Sequence, residues 1–205
     1  MAQGLLIVVS GPSGAGKGTI CKQLIQKEPT LKLSISATTR KPRLGEIDKQ
    51  NYYFMTVSEF EEMIQKDEFL EYANVYGNYY GTPKKYVIDE IQKGNHVLLE
   101  IDTQGAFQIK KKYPEGVFIF ILPPSMKELK HRIVGRGTET QEAIERRYQS
   151  AFDEISSLKE YDYYVINDEV DKAVEKIQAI IQAEMCKVSR NAKNIIQGFK
   201  EELSC

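Results

Sequence analysis

Cysteine is scarce in this chain of 205 residues. The three present, Cys21, Cys186 and Cys205, are odd in number and far apart, with no C-x-x-C pair and no Cys/His metal spacing. That pattern excludes a disulfide framework and a zinc site, and it fits a reducing cytoplasm. An excess of one charge is missing as well. With 28 Lys and Arg against 29 Asp and Glu, the formal net charge is −1, so no global field draws the chain to nucleic acid or to a membrane surface. Any anion site must be local. Long hydrophobic runs are absent: "MAQGLLIVVSG" lacks a basic leader region, and its apolar stretch is far shorter than a signal core or a membrane span. It reads as a core strand. There is no repeat and no low-complexity linker, and the length suits one main domain with room for an inserted lobe.

What the sequence does have is a series of apolar, β-branched runs with helical segments between them: "LLIVVS" (5–10), "LKLSIS" (31–36), "HVLLEI" (96–101), "VFIFIL" (117–122) and "YYVIN" (163–167). Runs without strict alternation suit strands covered on both faces, hence an α/β fold with a parallel sheet between helices. Helix starts are expected at Thr82-Pro83, as a cap before an N1 proline, and at Thr56 and Ser125, each with a glutamate at capping-box spacing. Between about residues 35 and 84 the pattern turns tyrosine-rich and is broken by Gly and Pro, which resembles an inserted lobe. Beyond about Asp171 the chain reads as continuously helical, a surface helix closing the fold.

The first run leads into "SGPSGAGKGT" (10–19), and "KGTICKQLIQK" after it has helical spacing. Gly11, four residues, then Gly16 and Lys17 is the spacing of a phosphate-binding loop, and the strand and helix on either side are its proper context. Gly11, Gly14 and Gly16 let backbone N–H groups turn inward, alongside Pro12, Ser13 and Ala15, and the helix start adds partial positive charge. Lys17 is the cation for the β- and γ-phosphates. Gly18 stands where the usual motif has a magnesium-binding hydroxyl. Thr19 can offer a hydroxyl instead, and a magnesium ion can keep more of its water. Glu100 and Asp102 end the strand "HVLLEI", where open α/β sheets place ligands, and Asp102 could reach the metal through water. The alternative is a pair of helix-capping or loop carboxylates, a reading that suits Glu100 better than Asp102.

"ISATTRKPRLGEID", "NYYFM", "EFLEYANVYGNYYGTP", "LLEIDTQGA", "FILPPSMKELKHRIVGRGTET" and "VIND" stand in the order and at the spacings of one family. From about Leu5 to Lys187 the chain resembles guanylate kinases, in which a Gly and then a Thr after the loop lysine is a familiar variant. The resemblance implies a P-loop NTPase-type parallel sheet core flanked by helices (1–35, 85–124 and 157–205). It also implies a small mixed α/β GMP-binding lobe (36–84) and a helical lid (125–156). Transfer of the γ-phosphoryl group of ATP to GMP, with dGMP as a further acceptor and magnesium as the ion, follows from the same match.

It assigns Ser36, Arg40, Arg43, Tyr52, Glu71, Tyr80, Thr82, Glu100 and Asp102 to GMP. Chemistry agrees: forked Arg40 and Arg43 with the phenols of Tyr52 and Tyr80 make a clamp for a dianionic phosphate. Glu71 can accept from guanine N1–H and the exocyclic amine, while Ser36 and Thr82 can donate to its O6 or N7. Standing alone, "RKPR" would be a solvated basic turn and Glu71 the wet side of a strand. Arg132, Arg136 and Arg147 match lid arginines that meet the transferring phosphoryl group, although each could instead form an i,i+4 ion pair. Asn167 matches a position near adenine, or it simply satisfies backbone groups. Ala37 departs from the serine frequent in relatives. Two rivals remain: a protein-binding domain of the same fold that has lost catalysis, and a kinase for another phosphorylated small molecule such as a ribose bisphosphate. Retention of the charged residues argues against the first, and Glu71 with Ser36 against the second. The oligomeric state is open.

Overall fold

The apolar runs do become strands. The computed structural model describes residues 4–75, 77–134 and 141–203, apart from the side chains of 141–144, 146 and 147. In chain order the elements are β1 (Leu6–Ser10), α1 (Lys17–Lys27), β2 (Leu31–Leu33), β3 (Ala37–Thr38), β4 (Tyr53–Phe54), α2 (Val57–Gln65), β5 (Phe69–Val75), β6 (Asn78–Pro83) and α3 (Lys84–Gln92). There follow β7 (His96–Glu100), α4 (Thr103–Lys112), β8 (Val117–Leu122), α5 (Met126–Val134), α6 (Gln141–Ser156), a 3₁₀ turn at Leu158–Glu160, β9 (Tyr163–Ile166), α7 (Val170–Met185) and α8 (Val188–Glu202).

Five strands form a parallel sheet in the order β2-β7-β1-β8-β9. Alternate residues of each strand point to opposite faces, so the continuous apolar runs feed two cores. Ile7, Val9, Ile119 and Ile121 pack with Ile20 and Leu24 of α1 and Val174 and Ile177 of α7. Val8, Leu99 and Phe118 pack on the other face with Val87 of α3 and Ala106 and Ile109 of α4. The sequence between β2 and α3 builds a second sheet, ordered β4-β3-β6-β5. There β3 and β4 are parallel, and β6 runs antiparallel to both β3 and β5. Its own small core stacks Phe60 of α2 against Phe69 and Tyr79, with ring centroids 4.4 and 5.2 Å apart.

Several local expectations are corrected. "LKLSIS" pairs with β7 only over Leu31–Leu33, because the chain then leaves toward the second sheet. Thr82 is not a helix cap: α3 begins after Pro83 without a side-chain cap, and Thr82 is a buried residue of β6. The Thr56 capping box is present in full, with Thr56 N–H donating to Glu59 Oε2 at 2.7 Å and Glu59 N–H to Thr56 Oγ1 at 3.2 Å. At Ser125 the hydroxyl accepts from Glu128 N–H at 3.1 Å. The C-terminal helix is not continuous but breaks at Cys186–Lys187. There the buried Glu184 collects Tyr163 Oη (2.6 Å), Lys187 Nζ (3.3 Å) and the Arg190 guanidinium, so the chain must turn to bring Arg190 back. α7 closes the fold, whereas α8 buries no residue. Among the described residues no helix is long and apolar enough to cross a membrane.

Candidate active site

The glycine-rich loop joins the C-terminal end of β1 to α1, at the edge of the sheet where the strands on either side also end. Gly16 is the N-cap of α1 at φ 92°, a left-handed conformation that costs a side-chain-bearing residue energy, and no side chain caps the helix. The helix also has no acidic residue in its first turn, so its N–H groups remain available to an anion. Lys17 Nζ donates to Gly11 O at 2.5 Å and Pro12 O at 3.2 Å, which folds the amine back over the loop. Thr19 is exposed. A Cβ on Gly18 would stand 3.5 and 3.7 Å from the two Glu100 oxygens. Burial pushes the Glu100 carboxyl above its ordinary value, and Lys17 pulls it back.

Asn167 and Arg132 brace the loop from behind. Asn167 is buried and its Nδ2 donates to Ala15 O at 2.7 Å, while its own carbonyl accepts from Arg132 Nη2 at 3.2 Å. Arg132 Nε donates to Glu128 at 2.9 Å, the i,i+4 pair that its spacing allows. Asp102 is the N-cap of α4: its Oδ1 accepts from Gln104 N–H at 2.7 Å and Gly105 N–H at 3.0 Å.

A second group of residues hangs from the small sheet. Arg40 is clamped by Glu46 through two parallel bonds, Nη1 to Oε2 and Nη2 to Oε1, each 2.9 Å. Glu46 Oε2 also accepts the Arg43 N–H at 2.7 Å, and the Arg43 side chain is exposed. The Arg40 guanidinium lies 5.4 Å from the Tyr52 ring centroid, and Tyr52 meets Tyr80 edge-on at 6.1 Å. Deeper in, Glu71 is 3% exposed and accepts from Thr82 Oγ1 at 2.6 Å. Burial pushes its carboxyl up to about 7, with Asp102 adding to the rise and Thr82 and Lys112 opposing it. Glu100 likewise helps, after burial, to push up the Tyr52 phenol. These fields place the two groups of residues within electrostatic reach of each other.

The guanylate kinase family profile matches residues 3–184. The chain is 62% identical over 200 residues to guanylate kinase of Caldanaerobacter subterraneus subsp. tengcongensis, covering 98% of this chain and 97% of that protein. The chain belongs to the guanylate kinase family. Guanylate kinase of Clostridioides difficile is 59% identical over 201 residues, covering 98% of each chain. The crystal structure of guanylate kinase from Anaplasma phagocytophilum superposes with a TM-score of 0.79 at 35% identity, over 93% of this chain and 90% of that one.

Within this guanylate kinase fold the assigned residues gather in three places: Lys17 and Glu100 at the loop, Arg40 with Tyr52 and Tyr80, and Glu71 with Thr82. Ser36 is half-buried at the entry to the small sheet, its carbonyl accepting from Tyr53 N–H at 2.9 Å. Arg136 and the side chain of Arg147 lie outside the described residues. Ala37 is fully buried against Phe60 and Phe69, an apolar place with no need of a hydroxyl. Two acids were missed. Glu46 stands in the quoted stretch "RLGE", three residues after Arg43, and its pairing with Arg40 is visible only once the loop folds back. Glu154 of α6 is pushed up to about 7, first by burial, and feels both Lys17 and Asp102.

Proposed function

We propose that the protein transfers the γ-phosphoryl group of ATP to GMP, giving ADP and GDP. The observation that carries this reading is Glu71, a buried carboxylate held by Thr82 and set beside Asp102. Guanine presents two adjacent N–H donors, N1–H and the 2-amino group, and an ionised carboxylate is their complement. Thr82 donates its hydroxyl hydrogen bond to Glu71, which leaves donation toward O6 to Ser36. Arg40, already oriented by Glu46, and Arg43 take the phosphate of GMP with Tyr52 and Tyr80.

ATP is taken by residues 11–19, with the N–H groups of the loop and of α1 around its phosphates. Lys17 leaves the Gly11 and Pro12 carbonyls for the β- and γ-phosphates, where its charge follows the transferred group. Arg132, tethered to Asn167, Arg136 and Arg147 approach from the lid and stabilise charge spread over the phosphoryl oxygens. Asn167 acts through the loop carbonyl of Ala15.

Among the described residues no three Asp, Glu, His or Cys groups gather to hold a metal ion. The donors present, Glu100 and Asp102, fit a magnesium ion that arrives on substrate phosphates and keeps most of its water. When bound, that ion would neutralise charge on the phosphates, with Glu100 and Asp102 as the residues that would hold it through water. Closure of the lobe at 36–84 and the lid at 125–156 over the core excludes water from the transfer.

The test is ADP release, coupled to an optical readout, with GMP, dGMP, AMP, CMP and UMP as acceptors. Turnover with GMP and dGMP well above the other three is expected. No turnover with any acceptor would leave a protein-binding domain of this fold.

A further inference from the structure

Glu71 stands on β5, an edge strand of the small sheet, yet a helix of the large core fixes its position. Three residues of α4 at helical spacing, Gly105, Gln108 and Lys112, present one face to β5. Gln108 Nε2 donates to Tyr72 O at 2.7 Å, and its Oε1 accepts from Tyr72 N–H at 3.3 Å. Lys112 Nζ donates to Leu70 O at 2.8 Å. The backbone on either side of Glu71 is thus tied to α4. Leu70 adds a third tie, since its side chain is buried in the large core with Ala106 and Ile109 rather than in the small one.

Gly105 faces the carboxyl group itself. A Cβ there would lie 2.9 Å from Glu71 Cδ and 3.4 Å from Cγ, and closer still to Oε2, a contact that real Cβ atoms do not make. The Gly105 N–H meanwhile donates to Asp102 Oδ1. One turn of α4 therefore touches two of the three carboxylates assigned to GMP, Glu71 and Asp102.

We infer that the Gly105–Gln108–Lys112 face of α4 determines base specificity by positioning Glu71, and that the missing side chain at Gly105 is what leaves its carboxylate room to read guanine. The inference rests on GMP being the acceptor. A purely structural role of Gly105 would show instead as a lower melting temperature from the same overlap, with base choice left alone.

Steady-state rates of the full chain carrying Gly105→Ala test it, with GMP and with AMP, alongside the KM for ATP and the melting temperature. The KM for GMP is expected to rise by about a hundredfold, the scale for a misplacement near 1 Å. The kcat/KM ratio of GMP to AMP falls with it, while the KM for ATP holds. Shortening the acid withdraws it from the added methyl group, so Gly105→Ala should cost far less in a Glu71→Asp background. Should Gly105→Ala not fold, Gln108→Leu keeps the bulk but loses both bonds to Tyr72, and a drop of about tenfold in the same ratio is expected. A folded variant of either kind with the wild-type ratio overturns the inference. If the wild-type chain does not phosphorylate GMP, the acceptor reading fails first, and this inference fails with it.

Discussion

Glutamine at position 71 keeps the outline of the side chain and removes its charge. In the proposed complex the Glu71 carboxylate accepts from guanine N1–H and the 2-amino group while Oε1 already accepts from Thr82. The amide has one acceptor and turns N–H donors toward guanine donors. Losing charge-assisted bonds in a site only 3% exposed should cost about 2–4 kcal/mol in kcat/KM for GMP. That is a loss of about 30- to 900-fold. AMP, whose N1 carries a lone pair and which lacks the 2-amino group, should lose far less, so the GMP to AMP ratio collapses. With the carboxyl pushed up to about 7, part of the free enzyme carries it protonated at neutral pH and lacks the full acceptor for guanine. The wild-type kcat/KM for GMP should therefore climb through pH 7 to a plateau near 8. In the bound complex guanine's N–H groups favour the ionised form, so the corresponding rise in kcat moves to lower pH. A rise near pH 7 that survives Glu71→Gln belongs to other groups that ionise there, the phosphate of GMP and Glu154 among them. Stability provides a second readout with its sign fixed. The folded pKa lies above the unfolded one, so as pH rises the unfolded chain ionises first, and stability falls between about 4.5 and about 7. Above pH 7 Glu71→Gln should thus melt higher than the wild type while turning over GMP more slowly. An unchanged GMP to AMP ratio would refute the reasoning whatever the melting curves show.

Lys17→Ala should leave the melting temperature in place and lower turnover by orders of magnitude, because among the described residues its amine bonds loop carbonyls and no part of the core; near-normal rates would remove the loop from the mechanism. Glu46→Gln frees Arg40 from its bidentate partner and should raise the KM for GMP about tenfold with kcat little changed, whereas an effect on kcat alone would place Arg40 elsewhere. Glu184→Ala strips Tyr163, Lys187 and Arg190 of their common acceptor and should cost about 1–3 kcal/mol in thermal unfolding, with GMP turnover at permissive temperature intact. GMP with an unreactive ATP analogue should compact the protein in solution scattering; an unchanged radius of gyration speaks against closure.

The sequence carried the elements whose cause is local. Five apolar runs supplied the five strands of a parallel sheet, and the three central ones, β1, β7 and β8, are apolar almost throughout because both of their faces are covered. The Thr56 box formed because its two bonds span three residues. The glycine-rich loop between β1 and α1 was legible from glycine spacing and from the strand and helix pattern on either side. Motif order named the family, and of the residues assigned to GMP, Glu71 met Thr82 on the neighbouring strand and Arg40 met Tyr52 beside Tyr80.

What the sequence could not show is which group each polar side chain takes as partner. Thr82 followed by Pro83 looks like a helix cap, but the tertiary fold places its hydroxyl against Glu71 in the neighbouring strand. Asp102 could be read as a ligand or a cap, and a helix beginning at Thr103 claimed one of its oxygens. Asn167 met the loop across the whole chain, at Ala15. The grip of Gln108 and Lys112 on the backbone beside Glu71 joins residues some forty apart, and neither helical periodicity nor strand alternation encodes such a distance. Periodicity settles which face of an element is buried; only packing settles what that face meets, and at Gly105 that neighbour is the carboxylate of Glu71.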